Sequence, residues 1–283
     1  MTSTPLIALT GATGNIGRAV ADHLAGTGTP LRLVVRDPSR APAAVGDVAR
    51  ATYGDRDAAT AALHGVDVLF MVSASESADR LDQHRTFVDA AADAGVRHVV
   101  YTSFLGAAPD ATFTLARDHW ATEEHLRASG MAFTFLRDSL YLDFLPLLAG
   151  EDGEIRGPAG DGRVGAVARA DVARTAAVVL ADPGAHAGRT YDLTGPQALT
   201  LAEAARILTE VTGRPTRYEA ETLEQAYASR QKYGAPDWQL EAWVSTYTAI
   251  AAGELALVTD TVHRLTGTPP LSLADLLSGA PPA

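Results

Sequence analysis

Residues 5–17 read PLIALTGATGNIG: an apolar run that stops at once in a turn carrying glycines at 11, 14 and 17. A short apolar run closed by glycine reads as a buried strand. From Asn15 the sequence NIGRAVADHLAGTG places Ile16, Val20 and Leu24 at helical spacing. Strand, tight turn and helix form the first unit of a dinucleotide-binding fold, in which N–H groups at the helix N-terminus face a pyrophosphate. In that arrangement Gly11 permits the turn, Gly14 the close approach of the phosphates, and Gly17 the packing of helix on strand. The same glycines also suit a tight connection with no ligand; the surrounding βαβ pattern favours binding.

Outward from this stretch, strands are expected at 6–10, 31–36, 48–53, 66–72, 97–103 and 132–137, with helices near 16–27, 56–64, 79–94 and 115–129. Such alternation predicts an α/β fold, a Rossmann-type doubly wound parallel sheet whose ligand lies where strand order reverses. After Arg137 the rhythm changes. SLYLDFLPLLAG reads as a short helix, and the glycine-rich 151–173 as irregular strands. Asp171 is an expected N-cap for a helix through Leu180, and 189–195 returns to the sheet. From Leu199 the chain is mainly helical, with a strand-like TRYEA at 216–220 and with Trp238, Trp243 and Tyr247 in one helix. The expected division is a dinucleotide-binding domain of 1–137 plus 164–195. The remainder, 138–163 plus 196–283, forms a smaller, mainly helical substrate lobe closing over the strand ends.

Charge narrows the partners. With 34 acidic against 23 basic residues the net charge is −11, which opposes direct electrostatic binding of nucleic acid. No cysteine is present, so disulfides, thiolate catalysis and cysteine-ligated metals are excluded. The two histidines of DHWATEEH, His119 and His125, are six apart, and no HExxH occurs, so no metal site is expected. No basic, apolar leader and no span of ~18 apolar residues is visible, so a soluble cytoplasmic chain without membrane contact is expected. The oligomeric state is left open, a homodimer included. Lys232 is the only lysine.

Nucleotide choice turns on the end of the second strand, VVRDPSR. An acidic residue there favours NAD and an arginine NADP. Arg36 ends the strand while Asp37 already begins an Asp-Pro turn, so NADP(H) is expected. Asp55, after the third strand, either hydrogen-bonds the adenine or caps the next helix. Ser73, Ala74 and Ser75 end the fourth strand, where small residues let the ribose pass. Thr102, Ser103 and then Phe104 end the fifth, where the nicotinamide belongs. On the helix near 115–129, His119 and Glu123 are four apart and share a face. A histidine held by that carboxylate would donate a proton near neutral pH; the alternative is an exposed ion pair. Phe104, Tyr141 and Trp243 are candidate substrate-pocket aromatics.

TGATGNIG, VVRDP, TYGD and the block QHRTFVDAAADAGVRHVVYTS together resemble an atypical short-chain dehydrogenase/reductase of the NmrA-like family. The likeness is nearest to its NAD(P)H:quinone oxidoreductases and extends over nearly the whole chain. It implies NADPH held by Gly11, Thr13, Asn15, Ile16 and Arg36, with a quinone stacked near the nicotinamide. The Tyr-x-x-x-Lys pair of most short-chain reductases is missing, since Ala228 stands four residues before Lys232. The corresponding helix carries His119-x-x-x-Glu123, then Glu124 where the nearest quinone reductases have lysine. Quinone reduction tolerates that loss best, because hydride addition yields a hydroquinone anion far less basic than an alkoxide. A non-catalytic NADP-sensing regulator is the alternative.

Overall fold

A computed structural model describes residues 4–42 and 46–281. Its first half alternates β1 (Ile7–Thr10), α1 (Asn15–Ala25), β2 (Leu31–Val35), β3 (Asp47–Arg50), α2 (Arg56–Leu63), β4 (Val68–Met71), α3 (Arg80–Asp93), β5 (His98–Phe104), α4 (Thr114–Ala128) and β6 (Ala132–Asp138). Then come α5 (Leu145–Leu148), β7 (Glu154–Gly157), β8 (Arg163–Val164), α6 (Arg169–Ala181), β9 (Arg189–Leu193), β10 (Leu199–Thr200) and α7 (Leu201–Thr212). The chain finishes with β11 (Arg217–Ala220), α8 (Leu223–Arg230), α9 (Asp237–Ala251), α10 (Thr261–Thr266) and α11 (Leu273–Ser278).

Seven strands form one sheet in the order β3-β2-β1-β4-β5-β6-β9. Ile7 pairs in parallel with Leu31 on one side and Val68 on the other. The bonds Ala132 N–H to Arg97 O and Gly188 N–H to Phe133 O carry the parallel ladder to β6 and β9. The chain winds outward from β1 to β3, then returns to the opposite side of β1 with β4. The order therefore reverses between β1 and β4, where a doubly wound sheet binds its ligand. Thr10 Oγ1 accepts the Val72 N–H there, at 2.8 Å. One face buries Leu69, Met71, Val99 and Tyr101, alternating along β4 and β5, beneath Leu63 of α2, Phe87 of α3 and Leu126 of α4.

Two compact units are distinguishable: residues 1–103, 118–137 and 172–191, and residues 104–117, 138–171 and 192–283. The second has its own core, including Leu142, Leu145, Ile155, Leu201, Leu208, Ile250 and Leu273. Small sheets pair β7 with β11 in parallel and β8 with β10 antiparallel. The glycine-rich stretch is needed for contact: a Cβ on Gly157 would run into the Tyr247 ring, and one on Gly162 would meet Ile250 carbonyl carbon at 2.6 Å.

Three expectations change. The segment after Asp138 is a short 3-10 turn, Leu142–Phe144, followed by the four-residue α5. The third strand ends at Arg50, because 51–55 turn away to enter α2. Asp171 is inside the first turn of α6, not its N-cap; its carboxylate accepts the Leu271 N–H instead, at 2.7 Å. Among the described residues, no helix is long and apolar enough to cross a membrane.

Candidate cofactor site

The glycine turn follows β1 directly. Gly11 has φ +64°, a conformation that favours glycine, and a Cβ there would meet Val72 Cβ at 3.0 Å. The Gly14 N–H donates to Gly11 O at 2.8 Å and closes the turn. A Cβ on Gly17 would collide with the Gly11 backbone and approach Thr10 O to 2.6 Å, so helix packing on the strand demands that glycine. Gly14 is different. Its φ of −102° suits any residue, and an added Cβ would meet only Gly11 O, at 3.3 Å. Of the three turn glycines, 14 is thus the one where an added Cβ meets least: a single backbone oxygen, which would have to give by a few tenths of an ångström.

That cradle is lined by donors. Gly14 is the N-cap of α1 and supplies no capping side chain, so the N–H groups of Asn15 and Ile16 lack intrahelical acceptors. Thr13 and Asn15 are exposed, whereas the Ile16 side chain is buried and anchors the helix. Exposed backbone donors at the positive end of a helix dipole suit a pyrophosphate.

Arg36 is exposed just beyond β2 and makes no polar contact among the described residues. Asp37 is committed elsewhere. Its carboxylate accepts from Ser39 N at 3.0 Å and from Ser39 Oγ at 2.7 Å, hydrogen bonds that hold it below the usual carboxylate range. Asp55 takes the capping role, accepting the Ala58 N–H at 3.0 Å.

The ends of β4 and β5 rest on buried polar side chains. Thr102 Oγ1 accepts the Ser73 N–H at 2.8 Å. Ala74 is held twice: its N–H donates to His84 Nε2 at 2.8 Å, and its carbonyl accepts from Arg80 Nε at 3.0 Å. Ser75 is exposed. Ser103 Oγ donates to Glu123 Oε1 at 2.6 Å. The Thr102 and Ser103 hydroxyls are thus engaged within the protein, and His84 and Arg80 were not foreseen. Their signal was present, as an arginine and a histidine four residues apart at the start of α3, where both point inward with 4% and 0% exposure.

His119 differs from its expected role. It is 6% exposed, and Glu123 does not hold it. That carboxylate is taken by Ser103, by Arg127 at 3.2 Å and by Arg137 at 2.7 and 2.8 Å. His119 Nε2 accepts from Arg80 at 2.9 Å, leaving Nδ1–H to face Tyr101 Oη at 3.0 Å. Burial first, then the Arg80 guanidinium, push its pKa well below that of ordinary histidine. The expected arrangement, a histidine held by Glu123, is therefore not formed, and the burial and the Arg80 charge oppose the imidazolium form. An exposed ion pair with Glu123 is equally excluded.

The candidate pocket aromatics belong to the second unit. Phe104 packs on Phe113, with ring centroids 4.9 Å apart, and Trp243 lies edge-on to Tyr233 at 6.0 Å. Tyr141 Oη donates to Asp138 Oδ2 at 2.9 Å, and the Arg169 guanidinium lies 5.3 Å from the Tyr141 ring. Asp138 is 1% exposed, and its Oδ1 and the Ser139 Oγ have no hydrogen-bond partner. Burial pushes the Asp138 carboxyl well above its usual range. Among the described residues, no group of three or more His, Asp or Glu could hold a metal ion.

A family model described as NAD(P)H-binding matches residues 11–183. The chain is 35% identical to quinone oxidoreductase 2 of Escherichia coli, over 96% of this chain and 98% of that protein. It is 30% identical to an NmrA-like family domain-containing oxidoreductase of Aspergillus flavus, over 76% and 73% respectively. The crystal structure of an NADPH-dependent quinone oxidoreductase from Escherichia coli, complexed with NADPH, superimposes with a TM-score of 0.87. There the identity is 35%, over 96% of this chain and 99% of that one. The glycine cradle at the switch point and these likenesses agree: the chain belongs to the NAD(P)H-binding family, among its NmrA-like oxidoreductases related to quinone oxidoreductase 2.

Proposed function

We propose that the protein is an NADPH-dependent oxidoreductase that passes hydride directly to a quinone or a similar conjugated acceptor. The observation that carries it is the glycine turn at the switch point, where Gly14 leaves the helix N-terminus without a side chain in front of its free N–H groups. The N–H groups of Asn15 and Ile16 hold the pyrophosphate, with Gly11 and Gly17 shaping the turn and Thr13 on its rim. Arg36 takes the 2′-phosphate. The 73–75 segment borders the ribose, and the end of β5 at Thr102 and Ser103 supports the nicotinamide, with the Ser103 O–H already given to Glu123. Bound NADPH supplies the hydride. The second unit serves as the substrate lobe, contributing Phe104, Tyr141 and Trp243. The relatedness to quinone oxidoreductase 2 at 35% identity supports the acceptor class. With His119 neutral and no Tyr-x-x-x-Lys pair, a product that needs little help with protonation fits best, and catalysis rests mainly on proximity and orientation.

The test is NADPH oxidation by the purified protein against a panel of quinones, flavins and aldehydes. Turnover with quinones and little with aldehydes is expected. Tight NADPH binding with no turnover on any acceptor would establish the NADP-sensing alternative instead.

A further inference from the structure

The two side chains that grip Ala74 have no part in the function proposed so far. Both are buried, one charged and one titratable, and both bind the end of β4. A Cβ at Gly11 would meet Val72 at 3.0 Å, so the segment that continues from Val72 to Ala74 runs directly beside the cradle. Loops at such strand ends ordinarily carry their own turn hydrogen bonds. Here the Ala74 peptide groups depend on α3: His84 Nε2 receives the N–H and Arg80 Nε serves the carbonyl.

Both side chains are braced from behind. With Nε2 accepting, His84 Nδ1 carries the ring proton and faces Thr122 Oγ1 at 2.9 Å; that hydroxyl donates onward to Asp118 O at 2.7 Å. Arg80 is fixed by Asp118 Oδ2 at 3.2 Å and by His119 Nε2 at 2.9 Å. Tyr53 and Tyr101 enclose the His84 ring edge-on, at 6.1 and 5.9 Å. A chain needing only a filled core would place apolar residues at 80 and 84, because burying a guanidinium and an imidazole costs more than it returns unless the geometry is put to use.

We propose that Arg80 and His84 are positioning residues for the cofactor: a two-point clamp on the Ala74 peptide groups that sets the β4 end in the shape NADPH requires. The inference rests on the cofactor site proposed above. The His84 contribution is its Nε2 lone pair. Any side chain presenting an acceptor at that reach preserves the clamp, and an apolar one of similar size abolishes it. Burial and the neighbouring Arg80 hold His84 well below the ordinary histidine pKa, so the lone pair is available at neutral pH. Loss of the acceptor leaves the Ala74 N–H unpaired and the segment free to turn, which weakens NADPH by about tenfold or more.

The experiment compares wild type, His84→Leu and His84→Gln at pH 7.5. Calorimetric Kd values for NADPH are measured alongside melting temperatures and the exchange rate of the Ala74 amide by NMR. The glutamine oxygen reaches about as far as Nε2. The clamp requires that His84→Leu raise Kd about tenfold and expose the Ala74 amide to exchange, and that His84→Gln restore both. Arg80→Met, measured as a second arm, should weaken NADPH in the same way. A folded His84→Leu protein with wild-type Kd would overturn the proposal. So would equal losses in the leucine and glutamine variants, which would make His84 a packing residue. Failure of wild type to bind NADPH would instead refute the function proposed above, and the amide exchange data would still report on the clamp.

Discussion

Replacing Arg36 with alanine separates the two nicotinamide cofactors. The guanidinium stands exposed one residue past the last paired position of β2, with no polar contact among the described residues. Nothing has to be broken before it can meet a 2′-phosphate. The nearest competitor, the Asp37 carboxylate, is turned into its own Ser39. A charge-assisted hydrogen bond is worth roughly 1.5–3 kcal/mol, and exposure to water reduces it toward the low end. About 1.4 kcal/mol, a tenfold change in affinity, is therefore the expected loss for NADPH in Arg36→Ala. NADH has no group at that position and should change by less than about twofold. Calorimetric titration of both cofactors at low and moderate salt measures this, and the NADPH advantage should shrink as salt rises. Equal losses for both cofactors, or a wild-type preference for NADH, would refute the argument and assign the choice to Asp37.

Gly14→Val should abolish NADPH binding in a protein that melts near the wild-type temperature, whereas Gly17→Val should fail to fold; a folded Gly14→Val protein with intact affinity would make the turn purely structural. His84 and His119 are kept neutral in the folded state, so below the unfolded histidine pKa of about 6.5 the unfolded chain binds more protons and stability falls with acidification. Each contributes a slope of about 1.4 kcal/mol per pH unit, and urea titrations across pH should show His84→Gln with the smaller acid-side slope. Asp138 runs the other way. Its raised pKa leaves the folded form with the extra proton above pH ~4, a term that costs stability as pH rises toward the folded pKa. Asp138→Asn should therefore gain melting temperature over wild type increasingly as pH rises above ~4 until the folded pKa is passed, and a constant difference would show that Asp138 does not titrate as the structure implies.

The glycine turn and the alternation of strands and helices were legible because spacing alone carries them. Glycines at 11, 14 and 17 after an apolar run admit few folds, and the alternating segments up to residue 137 lie within two or three residues of the observed elements. The contrast between Arg36 and Asp37 was legible too, since a strand end and an Asp-Pro turn point their side chains differently. What sequence could not supply was the inward-facing polar surface of α3 and α4. Polar residues on a helix read as solvated, and only the packed sheet shows Arg80, His84, His119 and Glu123 with 6% exposure or less. The partner of Glu123 was missed for the same reason: local spacing offered His119 four residues away, whereas the carboxylate is claimed by Arg137 on β6, across the fold.

The three glycines of the turn answer to different masters. Position 17 is policed by neighbouring backbone and position 11 by its own torsion angle and Val72, so both are held by folding alone. Position 14 meets a single backbone oxygen, and on the function proposed above it is held mainly by what enters the cradle. In a library randomised at all three and screened for soluble, folded chains, 11 and 17 would stay glycine while 14 would drift toward larger residues. Add a screen for cofactor retention and the drift would stop. If the proposed function holds, residue 14 is thus a marker of retained ligand in descendants of this sequence: a folded variant that keeps its glycines at 11 and 17 but carries a bulky side chain between them is expected to have given up the dinucleotide and kept the scaffold.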